Sequence, residues 1–450
     1  NMVLEICTVG GFSECGRNCT AIRVDDEVII LDLGLEMESY ISHTQQDREN
    51  VVKLDAEELI KVNAVPNLHL ISDWMDKVKA IIPSHAHLDH IGAIPFLASR
   101  FKGVPIISTP YTIEVISTIL KEERLQISNE LIIKKSGQKY KVSKNIEVEF
   151  VHVTHSIPHT AMLVINTPYG RVCYANDYKL DLTPVLGKKP DLKRIKELGN
   201  EGVDLLICES LYANSHRKTP SEAVAKQMLK DILNNSCADG HGLVVTTFAS
   251  QIARIKSIIE LGQKLDRKIV FFGRSLRKYL LAAHRIGVLR IPKEIPLLSR
   301  RHELDRMMRK INREGQEKYL IVCTGHQGEQ RAVLSRIARG ELALKLNSKT
   351  MCVFSCSVIP VELNIKNRER LESTLRSSGV RIFRDVHASG HASREDHREM
   401  IQMLKPKHII PSHAGFGLAH HLRDLAVEMG YVDNKTVHMM EDGKRLIISK

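Results

Sequence analysis

The run S-H-A-H-L-D-H at residues 84–90 limits what this chain can be more than any other segment. It follows the apolar stretch V-K-A-I-I-P at 78–83, which reads as a buried strand, and precedes I-G-A-I-P-F-L, which reads as a helix start. Strand alternation puts His85 and His87 on one side of the chain. The turn that follows can swing Asp89 and His90 toward a second position. Imidazole and carboxylate are ligands that zinc accepts without any thiolate. A single H-x-H is more often a polar turn, but four ligand types in six residues after an apolar strand read as a metal cluster.

Three later residues have the same placement. His155 ends F-V-H-V-T-H, Asp177 follows R-V-C-Y-A-N, and His413 follows K-H-I-I-P-S. Each lies just beyond the C-terminal end of an apolar run, where open α/β sheets put their sites. Taken singly, each is more often a cap or a surface residue. With His85, His87, Asp89 and His90 they make the seven ligands two adjacent metals need if Asp177 bridges. Two metals clamp the attacking and leaving oxygens of a hydrolytic displacement, and a bound water loses its proton near neutral pH. Asp32, in L-D-L-G, reads as a hydrogen-bond partner that orients a ligand histidine rather than as a ligand. His43, His69, His216, His284, His302, His420, His421 and His438 stay unassigned, and His152 has the wrong strand parity relative to His155.

Apolar runs alternate with helical patterns, which argues for an α/β architecture, and 450 residues exceed one ordinary core. Residues 36–73 read as an irregular surface excursion. From 211 the rhythm changes, with strands expected at 242–248, 268–273, 319–325 and 350–355. Thr219-Pro220-Ser221-Glu222 reads as a helix start with Thr219 as cap. The expectation is one domain split in sequence (1–210 and 365–450) around a second domain at 211–364.

Sixty-five Lys and Arg against 53 Asp and Glu leave a net charge of +12, which favours a polyanionic partner. Nine cysteines without a close-paired set fit a reducing interior better than a disulfide framework. The N-terminus reads as a strand rather than a signal core. No run reaches the eighteen or so apolar residues of a membrane span. The expected location is the cytoplasm, with no membrane partner.

H-A-H-L-D-H, T-H-S-I-P at 154–158, N-D-Y-K at 176–179 and P-S-H-A-G at 411–415 resemble, in order, the signature motifs of the metallo-β-lactamase superfamily. Glu209 in L-L-I-C-E-S, His391 in H-A-S-G-H and His413 resemble the extra motifs of its β-CASP nuclease branch. T-F-A-S at 247–250, F-G-R-S at 272–275, T-G-H-Q-G-E at 324–329 and V-F-S-C-S-V-I-P at 353–360 are similar to the ribonuclease J family, and the short tail after His413 to its archaeal form. After Pro360 the chain reads V-E-L-N, where the family's usual run is P-G-N-E.

The resemblance implies an αββα sandwich split in sequence, with an inserted β-CASP domain of doubly wound α/β type. It implies one zinc on His85, His87 and His155 and another on Asp89, His90 and His413, with Asp177 between them and manganese as the other acceptable cation. Asp89, His391 and Glu209 would carry catalysis, His391 protonating the leaving oxygen while Glu209 positions it. His387, Ser389, Gly390 and His391 would receive a 5′-phosphate, and Ser250 and Arg274 would touch the RNA. Further basic residues at 217–218, 277–278, 300–301 and 309–310 are expected in the inserted domain, with Phe248 and Tyr212 as candidates for base stacking. The implied function is a 5′→3′ exoribonuclease on 5′-monophosphorylated single-stranded RNA, working as a homodimer. The alternatives are an endoribonuclease, a small-molecule metallo-hydrolase such as a thioesterase or lactonase, and a non-catalytic RNA-binding scaffold.

Overall fold

The computed structural model describes residues 3–46, 55–238 and 240–448. The chain forms two compact units. The first joins Asn1–Asp181, Lys189–Thr219 and Gly390–Lys450; the second joins Leu182–Lys188 and Pro220–Ser389.

In the first unit a seven-stranded sheet runs in the order Lys444–Ile447, Leu4–Gly10, Cys19–Val24, Glu27–Leu31, Val78–Ile82, Ile106–Ser108, Leu131–Ile133. A six-stranded sheet runs His408–Ser412, Leu205–Glu209, Gly170–Ala175, Ala161–Thr167, Glu147–His152, Lys139–Lys141. Alternation decides which side chain goes where. Phe150, Leu163, Ile165, Val172, Tyr174 and Ile207 meet Ile6, Ile22, Ile29, Leu31 and Ile82 of the other sheet in one core. Their strand neighbours Val151, Met162, Val164, Cys173 and Leu206 form a second core with the helices Leu192–Glu201, Arg394–Leu404 and Phe416–Glu428. Glu149 shares this helix-facing side and holds Arg194 at 2.7 Å. A one-residue slip would exchange the two sets, and each large apolar side chain moved out of a core costs about 1.5–3 kcal/mol.

Residues 47–54 lie outside the described residues, and the rest of 36–73 is not the irregular excursion expected. It carries the helices Met37–Gln46 and Ala56–Lys61 and the start of the 3-10 segment Leu68–Lys77, which buries Leu68, Ile71 and Trp74. The polar face concealed the packing: the guanidiniums of Arg445 and Arg23 cover Trp74 at 4.3 and 5.4 Å, hiding one large apolar side chain under charge. Among the described residues no helix is long and apolar enough to cross a membrane.

The second unit is a parallel sheet ordered Leu297–Leu298, Lys268–Phe272, Tyr319–Cys323, Gly242–Thr246, Thr350–Phe354, Arg381–Phe383. Its central strands are buried throughout and read as continuous apolar runs, as a sheet covered on both faces requires. From Gly242–Thr246 the chain leaves through the helix Ile252–Lys264 toward one edge. From the adjacent Tyr319–Cys323 it leaves through Val333–Ala338 toward the other.

The boundaries of this unit fall at 220 and 389 rather than 211 and 364. Arg381–Phe383 pairs with Thr350–Phe354, so the helix Glu362–Ser377 and that strand belong to the inserted sheet. Arg217 and Lys218 accordingly lie in the first unit. The helix expected from Thr219 begins at Glu222, capped by Ser221, whose Oγ accepts from Ala223 N. Thr219 is held elsewhere: its N–H donates to Asp396 Oδ2 at 2.8 Å and its hydroxyl to the His391 carbonyl at 2.7 Å.

Candidate metal centre

The buried strand Val78–Ile82 delivers Ser84 and His85 at its carboxyl end, and the single turn Leu88–Ile91 carries Asp89 and His90. Asp177 and His413 each stand just beyond the end of a strand, as does Asp32, and all three adopt left-handed backbone, with φ of 72°, 61° and 61°. Non-glycine residues take this conformation at a cost and cluster where a side chain must be aimed away from its strand. Gly34 lets the two segments meet, since a Cβ there would lie 1.7 Å from the Asp89 carbonyl oxygen.

All seven expected ligands come together in two overlapping groups, His85, His87, His155 and Asp177, then Asp89, His90, Asp177 and His413, each group with its ligand atoms within 4.8 Å of one another. Asp177 Oδ2 lies 3.2 Å from His85 Nε2, 3.1 Å from His90 Nε2 and 3.6 Å from His155 Nε2, while its Oδ1 lies 3.3 Å from His413 Nε2. His87 enters through Nδ1, 3.0 Å from His155 Nε2.

Four histidines direct Nε2 inward because their Nδ1 is engaged behind. His90 Nδ1 pairs with Asp32 Oδ2 at 2.7 Å, His85 Nδ1 with Ser84 Oγ at 2.9 Å, His155 Nδ1 with the Gly390 carbonyl at 2.6 Å, and His413 Nδ1 with Asn18 Oδ1 at 3.2 Å. Tyr174 and Ser84 donate their hydroxyls to Asp32 Oδ2 at 2.7 and 3.0 Å. Such partners fix the tautomer and raise ligand basicity.

Electrostatics separates the ligands. Burial, with His85 beside it, holds the His87 pKa down to about 3, and burial with His87 and His391 holds His155 well below the usual range. Burial opposes a charge on His90, but Asp177, Asp89 and Asp32 together raise its pKa well above normal. Burial likewise opposes the Asp177 charge, and His413, His90 and His391 outweigh it. Neutral imidazoles and ionised carboxylates are the forms that bind a cation.

Glu209, fully buried at the end of Leu205–Glu209, holds His391 Nδ1 at 2.9 Å through Oε2. Its Oε1 accepts from Tyr178 N and Ala392 N at 2.8 and 3.3 Å. The His391 ring stacks on His413 with centroids 5.4 Å apart and lies 4.9 Å from His155. Burial alone would lower its pKa; Glu209 and then Asp177 raise it to about 9.

Sequence reasoning missed Asn18, Ser84 and Tyr174 as partners, and Cys15, whose Sγ lies 3.4 Å from His413 Nε2. Gly390, read as part of an anion turn, has a packing reason as well: a Cβ there would meet Ser156 at 2.7–2.8 Å. His420, His421 and Asp424 also bring ligand atoms within 4.8 Å on a surface helix, where Arg423 already holds Asp424 at 2.7 Å. The other expected RNA contacts, Ser250, Arg274, His387 and Ser389, belong to the second unit. There Ser250, Arg274 and His387 follow the carboxyl ends of Gly242–Thr246, Lys268–Phe272 and Arg381–Phe383, with Arg274 exposed.

Comparison with known proteins adds three family models. Residues 59–230 match a beta-lactamase superfamily domain, 240–369 the ribonuclease J beta-CASP domain, and 380–440 a Zn-dependent metallo-hydrolase RNA specificity domain. The chain is 43% identical over 446 residues to ribonuclease J of Methanocaldococcus jannaschii, covering 99% of both chains. It is 42% identical over 442 residues to ribonuclease J of Pyrococcus abyssi, covering 98% of this chain and 96% of that one. A crystal structure of a protein of unknown function from Enterococcus faecalis V583 shares the fold, with a TM-score of 0.65 at 17% identity over 99% of this chain and all of the other.

Proposed function

The chain belongs to the ribonuclease J family, archaeal in type and built as a metallo-β-lactamase domain with an inserted β-CASP domain, and from that premise we propose that it is a zinc-dependent 5′→3′ exoribonuclease preferring 5′-monophosphorylated single-stranded RNA. The observation that carries this reading is the His391–Glu209 pair packed against His155 and His413.

The donor set suits a pair of zinc ions. His85 Nε2 and Asp177 Oδ1 are buried without a hydrogen bond, a costly arrangement unless a cation satisfies them. His85, His87 and His155 would hold one ion and Asp89, His90 and His413 the other, with Asp177 shared. Bound there, two such ions would acidify a water and take up charge on the phosphate oxygens.

This chain's own residues supply the rest. Glu209 keeps His391 protonated at neutral pH and occupies Nδ1, so Nε2 is the nitrogen that gives a proton to the departing 3′-oxygen. The turn at 387–391 receives the 5′-phosphate through His387, Ser389 and backbone N–H groups, and Ser250 and Arg274 add contacts to the strand. The reading makes the chain a cytoplasmic enzyme of RNA processing and decay and a homodimer in solution. A monomer's mass in sedimentation would contradict the last point.

The test is to incubate 5′-labelled RNA bearing monophosphate or triphosphate ends with the full chain and resolve the products. Labelled mononucleotide from the monophosphate substrate alone supports the proposal. Internal fragments formed regardless of end chemistry would replace it with an endonuclease, and intact RNA would overturn both.

A further inference from the structure

Three aromatic rings of the second unit meet away from the seven clustered histidines and aspartates. Phe248 lies 4.3 Å from His326 and 6.0 Å from His387, centroid to centroid. They come from the loops after Gly242–Thr246, Tyr319–Cys323 and Arg381–Phe383, so all stand at the carboxyl end of one parallel sheet. The first two strands are neighbours, and the chain leaves them toward opposite edges. Such a switch point opens the crevice in which doubly wound sheets take their ligands. All three residues are half-buried, so each keeps part of its surface accessible.

Two buried arginines hold the flanking loops. Arg368 donates to the His326 carbonyl at 2.8 Å while lying 3.4 Å over the Phe354 ring and pairing with Glu372 at 2.9 Å. Gln327 ties the same loop to Ser357 O at 2.9 Å and Ile359 N at 2.8 Å. Arg254, fully buried, grips Glu222 with two nitrogens at 2.6 and 3.0 Å and donates to Ser355 O at 2.8 Å and His387 Nδ1 at 3.3 Å. A guanidinium can only donate. Burial holds the His326 pKa below the ordinary histidine value. The faces of the two flanking rings, like that of Phe248, suit a flat group.

We propose that Phe248, flanked by His326 and His387, is a stacking platform for one nucleobase of a single-stranded RNA, an inference that rests on the ribonuclease reading above. Every base offers a π-face, so the platform tolerates any sequence. The fixed loops spare the ordering that binding would otherwise cost.

The test measures affinity of the full chain for a short fluorescent RNA with phosphorothioate linkages, and for a series in which each nucleotide in turn lacks its base. In the wild type one abasic position weakens binding roughly 5- to 100-fold. Phe248→Leu, which keeps apolar volume and loses the π-face, weakens intact RNA by a similar factor and becomes indifferent to that position, while Phe248→Tyr stays near wild type. Should Phe248→Leu not fold, His326→Leu reads the same loss of sensitivity to the missing base. A wild type that tolerates every abasic position, or a Phe248→Leu chain that still loses affinity at the sensitive position, overturns the proposal. Base-sensitive binding without hydrolysis of ordinary RNA would overturn the ribonuclease reading alone.

Discussion

Glu209 Oε2 stands 2.9 Å from His391 Nδ1, and the remaining oxygen of that carboxylate is fixed by two backbone N–H groups. A buried carboxylate so held cannot turn away, so it stabilises the imidazolium of His391 through Nδ1.

His391 in the metal-free chain should therefore titrate near pH 9 by NMR. Because the folded pKa lies above the unfolded one, the pair's contribution to stability is complete below about pH 6.5 and fades as pH rises through about 9. Glu209→Gln should return the titration toward the ordinary histidine value and move the alkaline limb of the rate profile to lower pH. His391→Ala should lower kcat about 10²–10⁴-fold. An unchanged titration in Glu209→Gln would refute the coupling.

Asp32→Asn should loosen metal binding about 10–100-fold. Asp32 Oδ2 receives His90, Tyr174 and Ser84, and Oδ1 receives Ser84 N at 2.7 Å; an amide replaces one acceptor with a donor facing donors. Asparagine tolerates the left-handed backbone at this position. Competition with a chromogenic chelator measures the effect, and wild-type affinity would contradict it.

Gly390→Ala should destabilise the first unit by about 1–3 kcal/mol through overpacking against Ser156. It should also lower metal content, because the displaced carbonyl is the partner of His155 Nδ1. Denaturation and metal analysis on one sample check both. Full metal content would separate Gly390 from the centre.

The seven clustered histidines and aspartates were legible in the sequence because four follow one apolar strand within a few residues and three stand just beyond other strand ends, and strand ends converge in an α/β sheet. Their partners were not. Asn18 and His413 are 395 positions apart, and neither residue type announces the pairing. The inserted sheet was legible at its four central buried strands but not at its edge. Arg381–Phe383 has only three residues and half-buried or exposed positions, too few to show which sheet it joins. Leu68, Ile71 and Trp74 recur every third residue, the 3-10 period, and so match neither the α-helical nor the strand pattern.

Arg254→Met should cost the second unit about 3–5 kcal/mol, since it strands the buried carboxylate of Glu222. Replacing both partners by Met should recover much of that loss. Urea midpoints for the two single variants and the double variant test this, and additive losses would show that the residues do not act as a pair.

The account turns on one centre that needs two metal ions to cut RNA. The direct measurement strips the full chain with a chelator, restores zinc stepwise and follows cleavage of 5′-monophosphorylated RNA against zinc bound per chain. The account predicts that cleavage returns with the second equivalent and that Asp177→Asn does not regain it. Undiminished cleavage by the stripped chain, or two bound zinc ions with intact RNA, would contradict it.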